Sequence, residues 1–289
     1  MTPIRSENTA ALLVSCPDRR GIVAALAEFL NKQDGNILDA DQHSDTDSGQ
    51  FFQRIFFEMP GLKDRRKKFE LAIDELAQSF EMVWKLSVSS DLKRVAILVS
   101  KYDHCLFDLM LRHRAGELNG DIALIASNHP DLRPVAEQFN FPFFHLPIDD
   151  NDKNSQEEKM LALLQQHQVD VVVLARYMQI LSPAVIDRYQ HRVINIHHSF
   201  LPAFSGGRPY HQAHDRGVKL IGATAHYATS ELDGGPIIAQ DVVQCSHRDS
   251  VEDLTRKGRD VERAALAQAL RYHLDDRILV YRNRALVLG

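Results

Sequence analysis

The chain of 289 residues has only three cysteines, Cys16, Cys105 and Cys245, scattered and in no Cys-x-x-Cys spacing. That scarcity argues against a disulfide framework and against a thiolate zinc site, and it suits reduced thiols in the cytoplasm. Long apolar runs are missing as well. None approaches the ~20 residues that span a bilayer, so no membrane segment is expected. The polar start, Met1 to Glu7, lacks the apolar centre of a secretory signal, which again suggests a cytoplasmic location. A surplus of positive charge is absent: 34 Lys and Arg against 39 Asp and Glu give a net charge of −5, with no basic footprint for nucleic acid. No internal repeat or low-complexity tract stands out. What remains, 44% hydrophobic and 25% charged, is the composition of an ordinary globular protein with room for one large or two modest domains.

The pattern divides the chain into residues 1–90 and 91–289. In the first part, Thr9–Cys16 reads as a short strand. Asp18 is placed to cap a helix whose apolar stripe is Val23, Leu26, Ala27 and Leu30. Gly35 and Asn36 turn the chain into a strand over 37–43, and the polar turn 45–49 leads to another over 51–58. A charged amphipathic helix over 62–80 and a strand over 83–88 complete the order βαββαβ, a ferredoxin-like arrangement. The polar stretch Ser87 to Lys93 reads as a linker. Beyond it, strands near 94–99, 122–126, 143–146, 170–174 and 193–196 alternate with helices near 105–115, 132–139 and 156–167. That alternation predicts a Rossmann-like α/β domain with a mostly parallel sheet and ligands at the C-terminal strand ends.

One such end carries the chemistry. Asn195 and His197 are two apart on a predicted strand, so they share a face. Asp233 follows in the Gly-rich turn Leu232-Asp-Gly-Gly-Pro236, from which its carboxylate can return to the imidazole. An amide donor beside a titratable imidazole suits a carbonyl oxygen gaining charge while a proton moves, which is acyl or formyl chemistry. His211, His214 and His226 offer a competing metal-binding set, although fourteen histidines make such spacings easy to meet by chance.

Asn195-Ile-His197 with Leu232 to Pro236 resembles the folate-dependent formyltransferase family. The likeness extends through Ala175–Pro183, Gly222–Tyr227 and Gly235–Gln240. The resemblance implies that Asn195 donates to an oxyanion and that His197 and Asp233 handle protons. It also implies that Met178, Gln179, Ile180 and Leu181, with Ser230, Leu232 and Gly234 in the later turn, cradle the folate. Gln179 stands where the transferases usually have arginine, and His198, where they have proline, is read as a wall of the site. Metal binding is not a property of the family, so no metal is expected.

Relatives that formylate a ribonucleotide hold its phosphate on a glycine-rich loop. Here that position reads Val99-Ser-Lys-Tyr-Asp-His-Cys105, without glycine, and only Lys101 offers itself to an anion. Without a held amine acceptor, water is the expected nucleophile. The implied reaction is hydrolysis of 10-formyltetrahydrofolate to formate and tetrahydrofolate, with folate as substrate and no retained cofactor. A transferase with an unrecognised amine acceptor, or a folate- or amino-acid-binding protein without catalysis, are the alternatives. Gly206-Gly-Arg208 leaves open how the loop after Pro202 closes.

The first ninety residues, through Cys16 to Val23 and Gly35 to Ile37, resemble the ACT regulatory module. That likeness implies an amino-acid effector, glycine or methionine, held by Asp18, Gly21, Ile22 and Asn36. It also implies side-by-side pairing into a homo-oligomer, a dimer or tetramer.

Overall fold

The computed structural model describes residues 6–148, 153–203 and 209–289 and divides the chain into two compact units. The first comprises 1–92 together with Asp275–Leu279 and Leu286–Gly289. Its elements are β1 (Thr9–Pro17), α1 (Ile22–Lys32), β2 (Asn36–Asp45), β3 (Gln50–Glu58), α2 (Leu62–Phe80) and β4 (Val83–Val88). The strands form an antiparallel sheet in the order β2-β3-β1-β4. Alternation in β1 turns Ala10, Leu12, Val14 and Cys16 towards the helices, where they pack with Leu26 and Leu30 of α1 and Phe69 and Ile73 of α2. The rings of Phe57 and Phe69 stack at 5.5 Å.

Two local expectations fail. Asp18 does not cap α1: the helix begins at Ile22, behind Gly21 in the left-handed region at φ 93, with no side-chain cap. Asp18 instead belongs to the connection, where its backbone N–H donates to Gly49 O at 2.8 Å. Nor does Val23 belong to the buried stripe. It is exposed, and the i, i+4 series Ile22, Leu26, Leu30 faces the sheet.

A division with everything after residue 90 in the second part omits the return of the C-terminus to the first unit. Arg54, buried on β3, donates through Nε to Asp276 O at 3.0 Å, and Lys85 pairs with the Asp276 carboxylate at 2.9 Å. The Gly289 N–H donates to Asp41 at 2.7 Å.

The second unit, Lys93–Leu274 and Val280–Ala285, contains β5 (Lys93–Val99), α3 (His104–Arg114), β6 (Gly120–Ser127), α4 (Arg133–Gln138), β7 (Phe143–His145), α5 (Lys153–Gln166), β8 (Val171–Leu174), α6 (Pro183–Arg188), β9 (Val193–His197), α7 (Pro209–Asp215), β10 (Leu220–Tyr227), β11 (Ile237–Gln244) and α8 (Val251–Leu274). A hairpin of β12 (Ile278–Tyr281) and β13 (Arg284–Val287) closes the chain.

The sheet order is β11-β10-β9-β8-β5-β6-β7, parallel from β9 to β7, with β10 and β11 antiparallel at one edge. The chain builds outward from β5 through β6 and β7, then returns to lay β8 on the other side of β5. This reversal opens a crevice beyond the C-terminal ends of β5 and β8, the usual ligand position in such sheets. The 24-residue α8 covers β9, β10 and β11, burying Leu254, Val261, Leu266 and Leu270. Among the described residues no helix is long and apolar enough to cross a membrane.

Candidate active site

A cavity of about 510 Å³ opens at that crevice. Its walls come from the segment after β5 (Tyr102, His104), the loop after β8 (Arg176 to Leu181), the end of β9 (Asn195 to His198), β10 (His226) and the turn 228–233. Topology accounts for the convergence: each contributing parallel strand ends here, and β10 lies antiparallel to β9 with His226 opposite Asn195.

His197 is buried at the last position of β9, and its Nδ1 lies 3.1 Å from Asp233 Oδ2. Its Nε2 is buried and has no hydrogen-bond partner among the described residues. Asp233 Oδ1 lies 3.5 Å from His226 Nε2, and hydrogen bonds from His197 and His226 hold the Asp233 carboxyl well below the usual carboxylate range. Asp233 is therefore an anion near neutral pH. The His226 Nδ1 faces the Tyr227 carbonyl at 3.0 Å, and Asn195 Nδ2 approaches His226 Nε2 at 3.2 Å. His226 Nε2 stands between the Asn195 amide and the Asp233 carboxylate. Asn195, His197 and Asp233 thus lie in one network, joined by His226, which sequence reasoning had set in a metal group. No local signal gives His226 away, since only the β9–β10 register puts it there.

The turn that delivers Asp233 is sterically demanding. Asp233 has φ 54, and a Cβ on Gly235 would lie 1.8 Å from Tyr227 O, so only glycine fits there. On the other side, Thr224 Oγ1 donates to Ser199 O at 2.9 Å and receives the Leu201 N–H at 3.0 Å, which pins the chain after His198.

The folate-loop residues are at the outer wall. Met178, Ile180 and Leu232 are 53%, 61% and 63% exposed and line the cavity, forming an apolar mouth. Gln179, Leu181 and Ser230 line it too, whereas Gly234 does not and is occupied in the turn, its carbonyl accepting from Asn283 Nδ2 at 2.8 Å. The loop is braced from behind: Met178 N–H donates to Ser100 Oγ at 3.1 Å, and Ser182 N–H donates to Glu157 at 3.0 Å.

The inner wall carries residues that the sequence did not single out. Glu262 of α8, Tyr210, His104 and Arg176 meet there. Glu262 sits among Val261, Ala265 and Leu266, so an acid on an apolar helix face was the available signal. His198 lines the wall between the two groups, its ring 5.2 Å from that of His197. Burial and the neighbouring Arg176 charge push its pKa down to about 4, so it is neutral near pH 7.

The His211, His214 and His226 set does not assemble. His214 is exposed and pairs with Asp215, and the compact donor grouping found among the described residues is His104, Cys105 and Glu262. Lys101 is exposed and does not line the cavity. Residues 206–208 lie outside the described residues.

In the first unit, Asp18, Gly21 and Ile22 stand where β1 ends, and Ile22 is buried in the core. Asn36 is at the opposite end of the sheet. It pairs with Glu58, as does Thr9 at the start of β1, and the nine residues from there to Pro17 separate them by about 30 Å. One chain alone does not bring these four together.

Comparison with known proteins follows the same division. Residues 93–270 match the Formyl transferase family and residues 10–67 the ACT domain. The chain is 54% identical to a formyltetrahydrofolate deformylase of Synechocystis sp., over 97% of this chain and 99% of that one. A formyltetrahydrofolate deformylase crystal structure from Pseudomonas syringae pv. tomato aligns with a TM-score of 0.94 at 49% identity, covering 99% and 96% of the two chains. A glycinamide ribonucleotide transformylase from Symbiobacterium toebii aligns at 0.65 and 29% identity, over 68% of this chain and 95% of its own.

Proposed function

The chain belongs to the formyltetrahydrofolate deformylase family, and from that premise we propose how its residues perform the reaction. The enzyme hydrolyses 10-formyltetrahydrofolate to formate and tetrahydrofolate. The pteridine lies against the apolar mouth of Met178, Ile180 and Leu232, with Gln179, Leu181 and Ser230 beside it. The formyl group points inward to Asn195 and His197.

The observation that carries this reading is the polarity of His197. Its Nδ1 faces the Asp233 carboxylate at 3.1 Å, which commits the ring hydrogen to that side and leaves the Nε2 lone pair for a proton. His197 takes a proton from water as the oxygen attacks the formyl carbon, and the ionised Asp233 stabilises the resulting imidazolium. The Asn195 amide donates to the oxyanion, a role worth about 3–4 kcal/mol when such a donor is deleted. His226 orients both Asn195 and Asp233. Collapse returns the proton to N10 and releases formate. Folate is the substrate, and these steps call on no further cofactor and no metal.

The first unit regulates, binding a small amino acid, glycine or methionine, in a homo-oligomer in the cytoplasm. Support comes from the ACT match and from β2, an edge strand exposed along nearly its whole length. Two copies pairing antiparallel through β2 would bring the Asn36 end of one towards the Asp18 end of the other, completing a site that one chain lacks.

The test is to supply 10-formyltetrahydrofolate and count formate and tetrahydrofolate, with and without chelator. Equal release of both, unchanged by chelation, is the expected result. Tetrahydrofolate without formate, or activity lost on chelation and restored by zinc, would overturn the reading.

A further inference from the structure

The inner wall holds a group of side chains that these steps do not use. Glu262, only 1% exposed, accepts the Tyr210 hydroxyl at 2.6 Å and faces His104 Nε2 at 2.8 Å. Burial pushes its pKa up, but the bonds from His104 and Tyr210 and the charge of Arg176 prevail and keep the carboxylate ionised. Arg176 Nε lies 3.5 Å from the same carboxylate without hydrogen-bond alignment, and its Nε and Nη1 have no hydrogen-bond partner among the described residues. The guanidinium lies 4.9 Å over the ring of Tyr102.

Two features make Arg176 hard to explain as packing. Its backbone sits in the left-handed region at φ 62, where a residue with a side chain is strained. It also buries a cation whose donors are poorly matched, an expensive arrangement for a core. Holding α8 against the sheet does not require it, because Glu262 already bonds His104 and Tyr210. What Arg176 does do is line the inner wall of the cavity with Glu262 and His198, close enough for its charge to lower the His198 pKa.

A formyl carbon poised for attack takes any nucleophile that reaches it, and amines are stronger nucleophiles than water. In transfer, the amine nitrogen bonds to the formyl carbon, the carbon–N10 bond breaks and an amine proton passes to N10, giving a formamide. In hydrolysis, the water oxygen takes the amine's place and formate leaves. Both reactions use the same proton-handling groups, so selection between them rests on access. We propose that Arg176, braced by Tyr102 and Glu262, closes the inner half of the cavity to amine acceptors and so restricts attack to water. This inference rests on the hydrolytic reading above.

The test measures two products in one reaction. Purified full-length enzyme receives 10-formyltetrahydrofolate and a fixed excess of glycinamide, and formate and N-formylglycinamide are quantified after subtracting the enzyme-free reaction. Wild type should give formate almost alone. Arg176→Gly, which suits the left-handed backbone, should raise the ratio of formylated amine to formate about tenfold or more. Tyr102→Ala, which removes the exposed brace, should raise it less. The ratio is internal to each sample and does not depend on the folded fraction. An unchanged ratio in Arg176→Gly, wild type that already formylates the amine as well as the variant, or a folded Arg176→Gly that makes neither product would each overturn the proposal. Failure of wild type to release formate at all would instead refute the hydrolytic reading.

Discussion

The two units bury different things. Among the described residues, the buried charged side chains of the first are Arg54, which donates to the Asp276 backbone carbonyl, and Asp276, whose carboxylate pairs with Lys85. Its helix-facing core is built around Leu12, Leu26, Leu30, Phe57 and Phe69. The second buries Glu157, Arg176, His197, His226 and Glu262, four of them around one cavity. Burying an ionisable group costs several kcal/mol unless it is paired, so a fold that collects four in one place is organised for chemistry rather than stability. The contrast puts the candidate catalytic groups in the second unit and none of them in the first.

The sharpest way to break that contrast is to remove the proton-handling groups. His197→Ala, Asp233→Ala and Asn195→Ala should each lower kcat by roughly 10²- to 10⁴-fold in folded protein, because each acts on the transition state. Formate-release kinetics beside thermal melting check this, and a folded His197→Ala variant with near-normal turnover would remove the mechanism.

Acid should affect the second unit through its buried histidine. The pKa of His198 is pushed down to about 4 from an ordinary value near 6.5. Its contribution is therefore whole above about pH 6.5 and is lost as pH falls towards 4, amounting to at most about 3 kcal/mol. The Asp233 shift has the same sign and acts at still lower pH. His198→Gln should flatten the fall in melting temperature between pH 6.5 and 4, and an equally steep fall would contradict the assignment.

Gly258 on α8 is a smaller test. Alanine favours helix by about 1 kcal/mol over glycine, yet a Cβ there would lie 2.0 Å from the Tyr210 hydroxyl. Overpacking typically costs about 1–3 kcal/mol, so Gly258→Ala should lower the melting temperature and weaken the Tyr210–Glu262 bond. A stabilised variant would show that the wall yields freely.

The first unit should respond only through an effector. Gly21 stands at φ 93 with nothing within 4 Å of an added Cβ, so Gly21→Val strains the backbone without a clash. It should blunt the response to glycine or methionine, a coupling of about 1–3 kcal/mol, while basal turnover is retained. Calorimetry and rate assays across glycine, methionine and serine check this. No binding and no rate change in wild type would leave the unit an assembly domain alone.

Much of this contrast was legible in the sequence, because alternation and turn residues mark strands whatever surrounds them. The helix 62–80 and the strand 83–88 were read to the residue. The αβ series fixed where the parallel strands end, and hence where His197 stands. The start of α1 was misread because Asp18 is a good cap in isolation, whereas Gly21 supplies the left-handed turn that starts the helix. The helix α8 was not assigned at all, and with it went Glu262 and the inner wall. Residues such as Arg176 and His226 carry no local mark. One gains its place from strand order and the other from the register of β10 on β9.

The central claim is that His197 and Asp233 act as one proton-handling unit across their 3.1 Å contact. A double-mutant cycle of His197→Ala, Asp233→Ala and the pair, followed by formate release, tests it most directly. If they act together, the double variant should be little slower than the slower single variant, because the second substitution removes what the first has already disabled. Costs that simply add would mean the two groups act independently and would contradict the account.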